Sequence, residues 1–165
     1  MSSWGTAVLF VLAIFAIGLL YGRRSSNQSS HMLAHGSANG QQHVPAFHAE
    51  PPTGPLPATI DPKEFRDTQT QNIYTLAAEV KEVLYQQPCY CHCDRHLGHK
   101  SLLHCFLDKH GSECELCKKE AVYSYLQTKA GKTPAEVREE IIQGTWMKIN
   151  LSKYNNALSA RPKPS

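Results

Sequence analysis

Cysteine and histidine are concentrated in residues 88–105, which read PCYCHCDRHLGHKSLLHC. This segment holds four of the six cysteines and four of the nine histidines of the chain. Thiolate and imidazole are the ligands that Cu(I), zinc and iron–sulfur clusters prefer, and neighbouring thiols also form disulfides or exchange electrons. The segment therefore predicts a metal centre, a disulfide framework or a thiol-redox site.

All six cysteines fall between positions 89 and 117, in three groups. A C-x-C-x-C run comes first, a single cysteine follows, and a C-x-x-C pair ends the series. The pair has helical i, i+3 spacing, which places both thiols on one side of a helix, whereas a loop frees the run from helical spacing. We therefore predict that the thiols meet in one pocket. Their positions are Cys89, Cys91, Cys93, Cys105, Cys114 and Cys117.

One zinc ion needs only four of these ligands. A zinc site can be drawn from Cys93, His96, Cys114 and Cys117, with His99 as a replacement for His96. That site leaves three cysteines unused, so the dense run fits a thiolate-rich Cu(I) site or two neighbouring ions better. The cysteine spacings do not match those of iron–sulfur clusters.

Other features near the run are weaker candidates. His92, His104 and His110 lie near enough in the sequence to be ligands, but such histidines are more often surface or hydrogen-bonded side chains. The C-x-x-C pair has the spacing of a haem-attachment motif, but Lys118 stands where that motif has histidine. Covalent haem is therefore not predicted.

Two uses of the cysteines other than metal binding stay open. An even number of cysteines in an exported chain also fits a disulfide framework, and Cys93, Cys105 and Cys117 have a regular spacing that suits rungs across a helical hairpin. Thiol–disulfide chemistry requires a reactive thiolate, which the acidic residues on both sides of Cys114 disfavour. No phosphate-binding glycine loop, H-E-x-x-H motif or paired carboxylates in a plausible pocket are found, so we do not predict an enzyme.

The first 22 residues carry no charged side chain, and the stretch from Gly5 to Gly22 is long enough to cross most of a bilayer as a helix. We predict a transmembrane anchor or signal segment at 1–22. By the positive-inside rule, Arg23 and Arg24 favour a cytoplasmic location for the chain after this segment. A short apolar segment before a small polar domain is more often an export device, so we expect a membrane-anchored domain on the extracytoplasmic side.

The rest of the chain divides by composition. Residues 23–60 are rich in Ser, Gln, His and Pro, which predicts a disordered linker. Residues 61–150 carry the helical patterns, and no strand-type alternation is found there. We predict an all-α domain of four to five short helices over this range, with a flexible tail at 151–165. The net charge of +3 is spread along the chain without a long basic run, so a nucleic-acid partner is not predicted.

Local signals place the helices. Asp61 and Pro62 begin a helix that Pro88 ends, with an apolar stripe at helical period between them. Further helices are predicted at about 101–107 and 112–129, separated by Gly111, and a capping box at Thr133 starts the last one. Leu116 is predicted to be buried in the second of these further helices. The stripe residues predicted to be buried in the first helix are Ile73, Leu76, Ala77, Val80, Val83 and Leu84.

The strings PCYCHC, GHKSLLHCF, HG, C-x-x-C and EA together resemble the PCYCGC-motif family, which consists of small exported bacterial proteins, often lipoproteins, of uncharacterised function. The similarity runs from about Thr70 to Ile142. His92 stands where the motif has glycine, and no cysteine precedes Cys89, so a lipid-modified cysteine cannot replace the apolar anchor. The resemblance implies an exterior location, and it implies that the six cysteines and His99 act together.

These observations predict a membrane-tethered, extracytoplasmic protein that binds a soft metal ion, Cu(I) or zinc, for capture or delivery. His99 would be a supplementary ligand or would donate a hydrogen bond to a ligand. The expected partners are the membrane and a protein that donates or accepts the metal. The predicted metal-site residues are Cys89, Cys91, Cys93, His99, Cys105, Cys114 and Cys117.

Overall fold

The computed structural model describes residues 43–156, which contain seven α-helices and three short 3-10 helices but no strand. This confirms the predicted all-α class, although the helices are shorter and more numerous than predicted. The predicted anchor at 1–22 lies outside the described residues, and no helix within 43–156 is long and apolar enough to cross a membrane. The α-helices are α1 (Thr68–Glu79), α2 (Lys81–Tyr85), α3 (Cys93–His96), α4 (His104–Leu107), α5 (His110–Glu113), α6 (Glu115–Lys129) and α7 (Pro134–Ile142).

The helix predicted between Asp61 and Pro88 is divided into three. Asp61 caps only a 3-10 turn, η1 (Pro62–Glu64), and the chain is extended at Phe65. Asp67 begins α1 by accepting a hydrogen bond from the backbone N–H of Thr70 at 2.8 Å. The backbone leaves helical geometry again at Val80, between α1 and α2.

The apolar stripe remains on the buried side of the helices despite these breaks. Each of the six stripe residues predicted to be buried from α1 to α2 is less than one-tenth exposed. They pack against α6, the central helix, which also contacts α5 and α7. Leu116, which was predicted to be buried, is instead exposed, because α6 begins only at Glu115 and turns its first apolar side chain outward.

The segment before Asp61 differs from the predicted linker over residues 43–60. Ile60 donates its backbone N–H to the carbonyl oxygen of Phe106 at 3.0 Å, and the ring of His48 stacks on Tyr85 with centroids 3.9 Å apart. Proline-rich chain has little conformational entropy to lose, so a few such contacts are enough to dock it in an extended form.

The chain after α7 is also docked as far as the structure describes it. The capping box of Thr133 and Glu136 is present as predicted. Two more 3-10 turns follow, η2 (Thr145–Lys148) and η3 (Leu151–Tyr154). The side-chain amide of Asn72 donates to the carbonyl oxygen of Tyr154 at 2.7 Å, which fixes the start of the predicted tail against α1.

Candidate metal centre

Three separate pieces of chain bring the cysteines together. The C-x-C-x-C run follows Pro88 and leads into α3, Cys105 lies on α4, and Cys117 lies in the first turn of α6. The run is held from behind, because the backbone N–H of Tyr90 donates to Glu120 Oε1 at 2.8 Å. Likewise, Leu102 donates its backbone N–H to the carbonyl oxygen of Gln87 at 2.9 Å, which ties the α4 side of the pocket to the chain before the run.

Five sulfurs from these three pieces converge, three of them in a triangle of contacts and two in a separate contact pair. The Sγ of Cys89 is 3.2 Å from that of Cys117 and 3.4 Å from that of Cys91. Cys91 Sγ is 3.5 Å from Cys117 Sγ, and Cys93 Sγ is 3.4 Å from Cys105 Sγ. All the cysteines are free thiols in the structure. The sulfurs of the run and of the C-x-x-C pair therefore meet, as the sequence predicted, through Cys117.

Two overlapping groups of four ligand atoms occur in this cluster. In each group the ligand atoms all lie within 4.8 Å of one another. Four thiolates around one tetrahedral zinc ion, at a Zn–S distance of about 2.3 Å, are separated by roughly 3.8 Å, so small movements suffice to bind an ion. The first group is Cys89, Cys91, Cys93 and Cys105. The second group is Cys91, Cys105, His110 and Cys117.

Some residues predicted from the sequence to be ligands lie outside both groups. Cys114 is half-buried and belongs to neither, because its extended backbone, with φ −107° and ψ 112°, places it before α6 rather than on it. His96 is exposed on α3, so the zinc site drawn from His96 and Cys114 is not assembled.

His99 is buried beside the cluster and has both ring nitrogens engaged. Its Nδ1 is 3.4 Å from Cys105 Sγ, and its Nε2 is 3.0 Å from Asp108 Oδ2. Of the two roles predicted for His99, this geometry favours a hydrogen bond to a ligand over direct coordination. A carboxylate–histidine pair of this kind orients a metal ligand and tunes its basicity.

Asp108 organises the histidine side of the cluster, although no sequence motif marks it. Its Oδ2 faces His99, while its Oδ1 accepts a hydrogen bond from the backbone N–H of His110 at 2.8 Å. Its own carbonyl oxygen accepts a hydrogen bond from the Tyr74 hydroxyl at 2.8 Å. One residue thereby sets the positions of both histidines relative to α1.

The pKa values of the cluster thiols are shifted in different directions. Hydrogen bonds from Cys105, and then from Cys114, Cys117 and Cys89, lower the pKa of Cys91. Hydrogen bonding with Cys105 and with Cys89 lowers the pKa of Cys93 to about 7. In contrast, hydrogen bonding with Cys105 and with Cys114 raises the pKa of Cys117. A lowered pKa favours the thiolate, and a thiolate is the form that binds metal.

A family model described as a protein of unknown function with PCYCGC motif matches residues 12–148, which is most of the chain. The chain belongs to the PCYCGC family. The resemblance drawn from the cysteine-rich strings is thereby confirmed. Neither the curated proteins nor the solved structures contain a match to this PCYCGC chain.

The glycine of the PCYCGC motif is replaced by His92 in this member of the family. His92 has φ 57° and ψ 31°, the left-handed conformation, and no other non-glycine residue between 43 and 156 has a positive φ. A glycine adopts this conformation without cost, whereas a side chain with a Cβ does not. The motif glycine is therefore explained by the sharp turn between Cys91 and Cys93, and His92 makes the same turn under strain.

Replacing His92 with glycine is expected to relieve this strain. His92→Gly and His92→Ala both remove the ring, which lies near His43 and Tyr90. The difference in stability between the two variants therefore measures the cost of the left-handed backbone alone. We expect the glycine variant to be more stable than the alanine variant by about 1 kcal/mol. Urea unfolding of the reduced protein checks this, and an alanine variant as stable as the glycine variant would show that the turn is unstrained.

Glu120 is fully buried in α6 directly behind the run, and residue types alone did not mark it as part of the site. Burial raises the pKa of Glu120 to about 8, so the carboxyl group is mostly neutral at pH 7. The neutral carboxyl group accepts a hydrogen bond from the Tyr90 N–H and so fixes the C-x-C-x-C run. It does this without placing another negative charge beside the thiols.

A glutamine at position 120 is expected to substitute for this neutral acid, whereas an alanine is not. Glu120→Gln keeps the size and the acceptor for the Tyr90 N–H, so we expect a loss of under about 1 kcal/mol. Glu120→Ala leaves that donor unpaired and opens a cavity in the core, for an expected loss of about 2–4 kcal/mol. Urea unfolding of both variants at pH 7 makes the comparison, and equal losses would contradict the acceptor role.

Proposed function

We propose that this PCYCGC protein captures a soft metal ion, Cu(I) or zinc, in its thiolate cluster and delivers it to an acceptor. The observation that carries the proposal is the convergence of five sulfurs, from three separate pieces of chain, in one largely buried pocket, where the ligand atoms of each group lie within 4.8 Å of one another. Thiolates are the ligands that select Cu(I) and zinc over hard cations. Metal binding would also neutralise thiolates that burial otherwise disfavours.

The contact pattern within the cluster supports a shared ion over a disulfide framework. Disulfides join sulfurs in separate pairs, but Cys89, Cys91 and Cys117 form a triangle with sides of 3.2, 3.4 and 3.5 Å. A bond between any two members of this triangle would leave the third sulfur outside that pair. An ion bound by several thiolates uses all the members of such a triangle at once.

Uneven burial of the ligands supports exchange of the metal. Cys105 and Cys117 are fully buried, whereas Cys91 is half-buried and accessible from outside. An incoming ligand could therefore reach the ion through Cys91 while the deeper sulfurs still hold it. We propose a metal-binding protein rather than an enzyme, with a donor or acceptor protein as its partner.

The proposed location is the extracytoplasmic face of the membrane, with the domain tethered by residues 1–22. This part of the proposal rests on the apolar, uncharged composition of that segment. A metal-capturing domain on a tether would remain at the membrane, where metal enters or leaves the cell.

Metal uptake by the purified full chain, held in detergent and reduced under argon, tests the proposal. We expect stoichiometric retention of Cu(I) or zinc after gel filtration, with a matching loss of thiols that react with a disulfide reagent. A protein that stays metal-free, with all six thiols reactive, would refute metal capture. Mass spectrometry of protein isolated without reductant provides the complementary test, because three intact disulfides would favour the stapled-domain alternative.

A further inference from the structure

The two groups of ligand atoms in the cluster overlap, and each has members that the other lacks. Both contain Cys91 and Cys105. The first adds Cys89 and Cys93, and the second adds Cys117 and His110. Two four-ligand sets with two sulfurs in common would suit two ions bridged by a pair of thiolates.

We infer that the cluster binds two soft metal ions, which share the thiolates of Cys91 and Cys105, and that His110 is a ligand of the second ion. This inference rests on the proposed function and deepens it. Cys89 and Cys93 would complete the coordination of the first ion, and Cys117 and His110 that of the second.

The position of Cys91 is the strongest geometric argument for sharing. Its sulfur lies 3.4 Å from Cys89 Sγ in the first group. It also lies 3.5 Å from Cys117 Sγ and 3.3 Å from His110 Nε2, both in the second group. A thiolate has several lone pairs and can bind two ions, so a sulfur between two sets of ligands is suited to bridge them.

Charge supports the same arrangement. The two groups together contain five cysteines and one histidine, and four of the five cysteines are buried. One zinc ion would bring two positive charges against five thiolates, whereas two zinc ions would bring four. Uncompensated charge is costly in a buried site, so the fully deprotonated cluster is satisfied better by two ions than by one.

Contacts of the His110 ring and backbone place its Nε2 next to the shared sulfur of Cys91. Its Nε2 faces Cys91 Sγ, while its backbone N–H is fixed by Asp108 Oδ1 at 2.8 Å. The ring also packs edge-on against the buried His99, with centroids 5.6 Å apart. His104 provides a contrast, because its Nδ1 is 3.3 Å from Ser101 Oγ and it belongs to neither group.

Cadmium loading of the reduced full chain tests this inference, with ¹¹³Cd²⁺ as an NMR-visible soft ion. We expect two bound equivalents by elemental analysis, and two ¹¹³Cd resonances split by mutual coupling through the shared sulfurs. His110→Ala is expected to weaken the second equivalent at least tenfold and to remove the coupling. His104→Ala, the matched control, is expected to keep both equivalents.

Each other outcome has one meaning. A single bound equivalent with one resonance would overturn the two-ion inference but leave soft-metal capture standing. Two resonances without mutual coupling would overturn the shared thiolates, and an unchanged second equivalent in His110→Ala would overturn the role of His110. A chain that binds no cadmium would overturn the proposed function and the inference together.

Discussion

Replacing Cys91 with serine is expected to weaken the binding of soft metals at least a hundredfold, although five cysteines remain. Cys91 is one of two residues present in both groups of ligand atoms, and it is the more exposed of the two. Serine preserves the shape of the side chain, but its hydroxyl stays protonated at neutral pH and is a hard ligand. The substitution therefore removes the central thiolate with little change in packing.

The expected size of the effect follows from the energetics of four-ligand zinc sites. Binding of about 10–16 kcal/mol divided among four ligands gives roughly 3 kcal/mol for each, or about a hundredfold in affinity. Because Cys91 serves both groups, we expect at least this loss for every ion the cluster binds. Competition with a chromogenic chelator, for zinc and for Cu(I) under argon, provides the measurement.

Cys114→Ser is the matched control for this experiment. Cys114 is a half-buried cysteine of the same C-x-x-C pair as Cys117, but it belongs to neither group. We expect its replacement to change the affinity less than tenfold. Equal losses in the two variants would mean that the metal is held by a different set of sulfurs, and unchanged affinity in Cys91→Ser would remove Cys91 from the centre.

Helical period predicted the core well because it depends only on which side of a helix each apolar residue faces. The stripe from Ile73 to Leu84 is buried even though the backbone breaks at Val80. The breaks themselves were not predictable from the stripe, since they leave its period intact. Leu116 was misplaced for the related reason that the sequence did not show where α6 begins.

The sequence predicted which residue types form the candidate site, but not which individual residues belong to it. Cysteine density alone indicated convergent thiols, and the run meets Cys117 as expected. The i, i+3 rule does not apply to Cys114 and Cys117, because it holds only when both residues are helical and Cys114 is extended. Asp108 and Glu120 act through hydrogen bonds to His99 and to the Tyr90 N–H, and helical period and cysteine spacing predict neither contact.

Gly111 shows how a glycine can be noticed in a sequence and still be assigned the wrong role. A glycine between two helical patterns predicts that the helix at about 101–107 ends before it and that the chain turns back towards Cys105. In the structure Gly111 lies inside α5, it is buried, and its φ is not among the positive values. Glycine is needed because neighbouring atoms approach its Cα closely. A Cβ on this residue would lie 2.6 Å from the carbonyl oxygen of Cys105 and 3.1 Å from both Phe106 Cε1 and Tyr74 Oη.

Gly111→Ala is therefore expected to destabilise the domain and to weaken metal binding together. The closest contact is with backbone that belongs to a shared ligand, so relief of the overlap must move Cys105 or separate α4 from α5. Overpacking of this kind costs about 1–3 kcal/mol, which we expect in the free energy of unfolding of the reduced, metal-free protein. Because displacement of Cys105 affects both groups, we also expect at least a tenfold loss in zinc affinity.

Gly54→Ala separates this effect from the general cost of replacing glycine. A Cβ at Gly54 would meet no atom within 4 Å, and the residue is exposed in the extended segment before η1. Its replacement is expected to change the free energy of unfolding by less than about 0.5 kcal/mol and to leave zinc affinity unchanged. If Gly111→Ala matched this control in both measurements, the tight packing of α5 on the Cys105 carbonyl would not be what positions the shared sulfur.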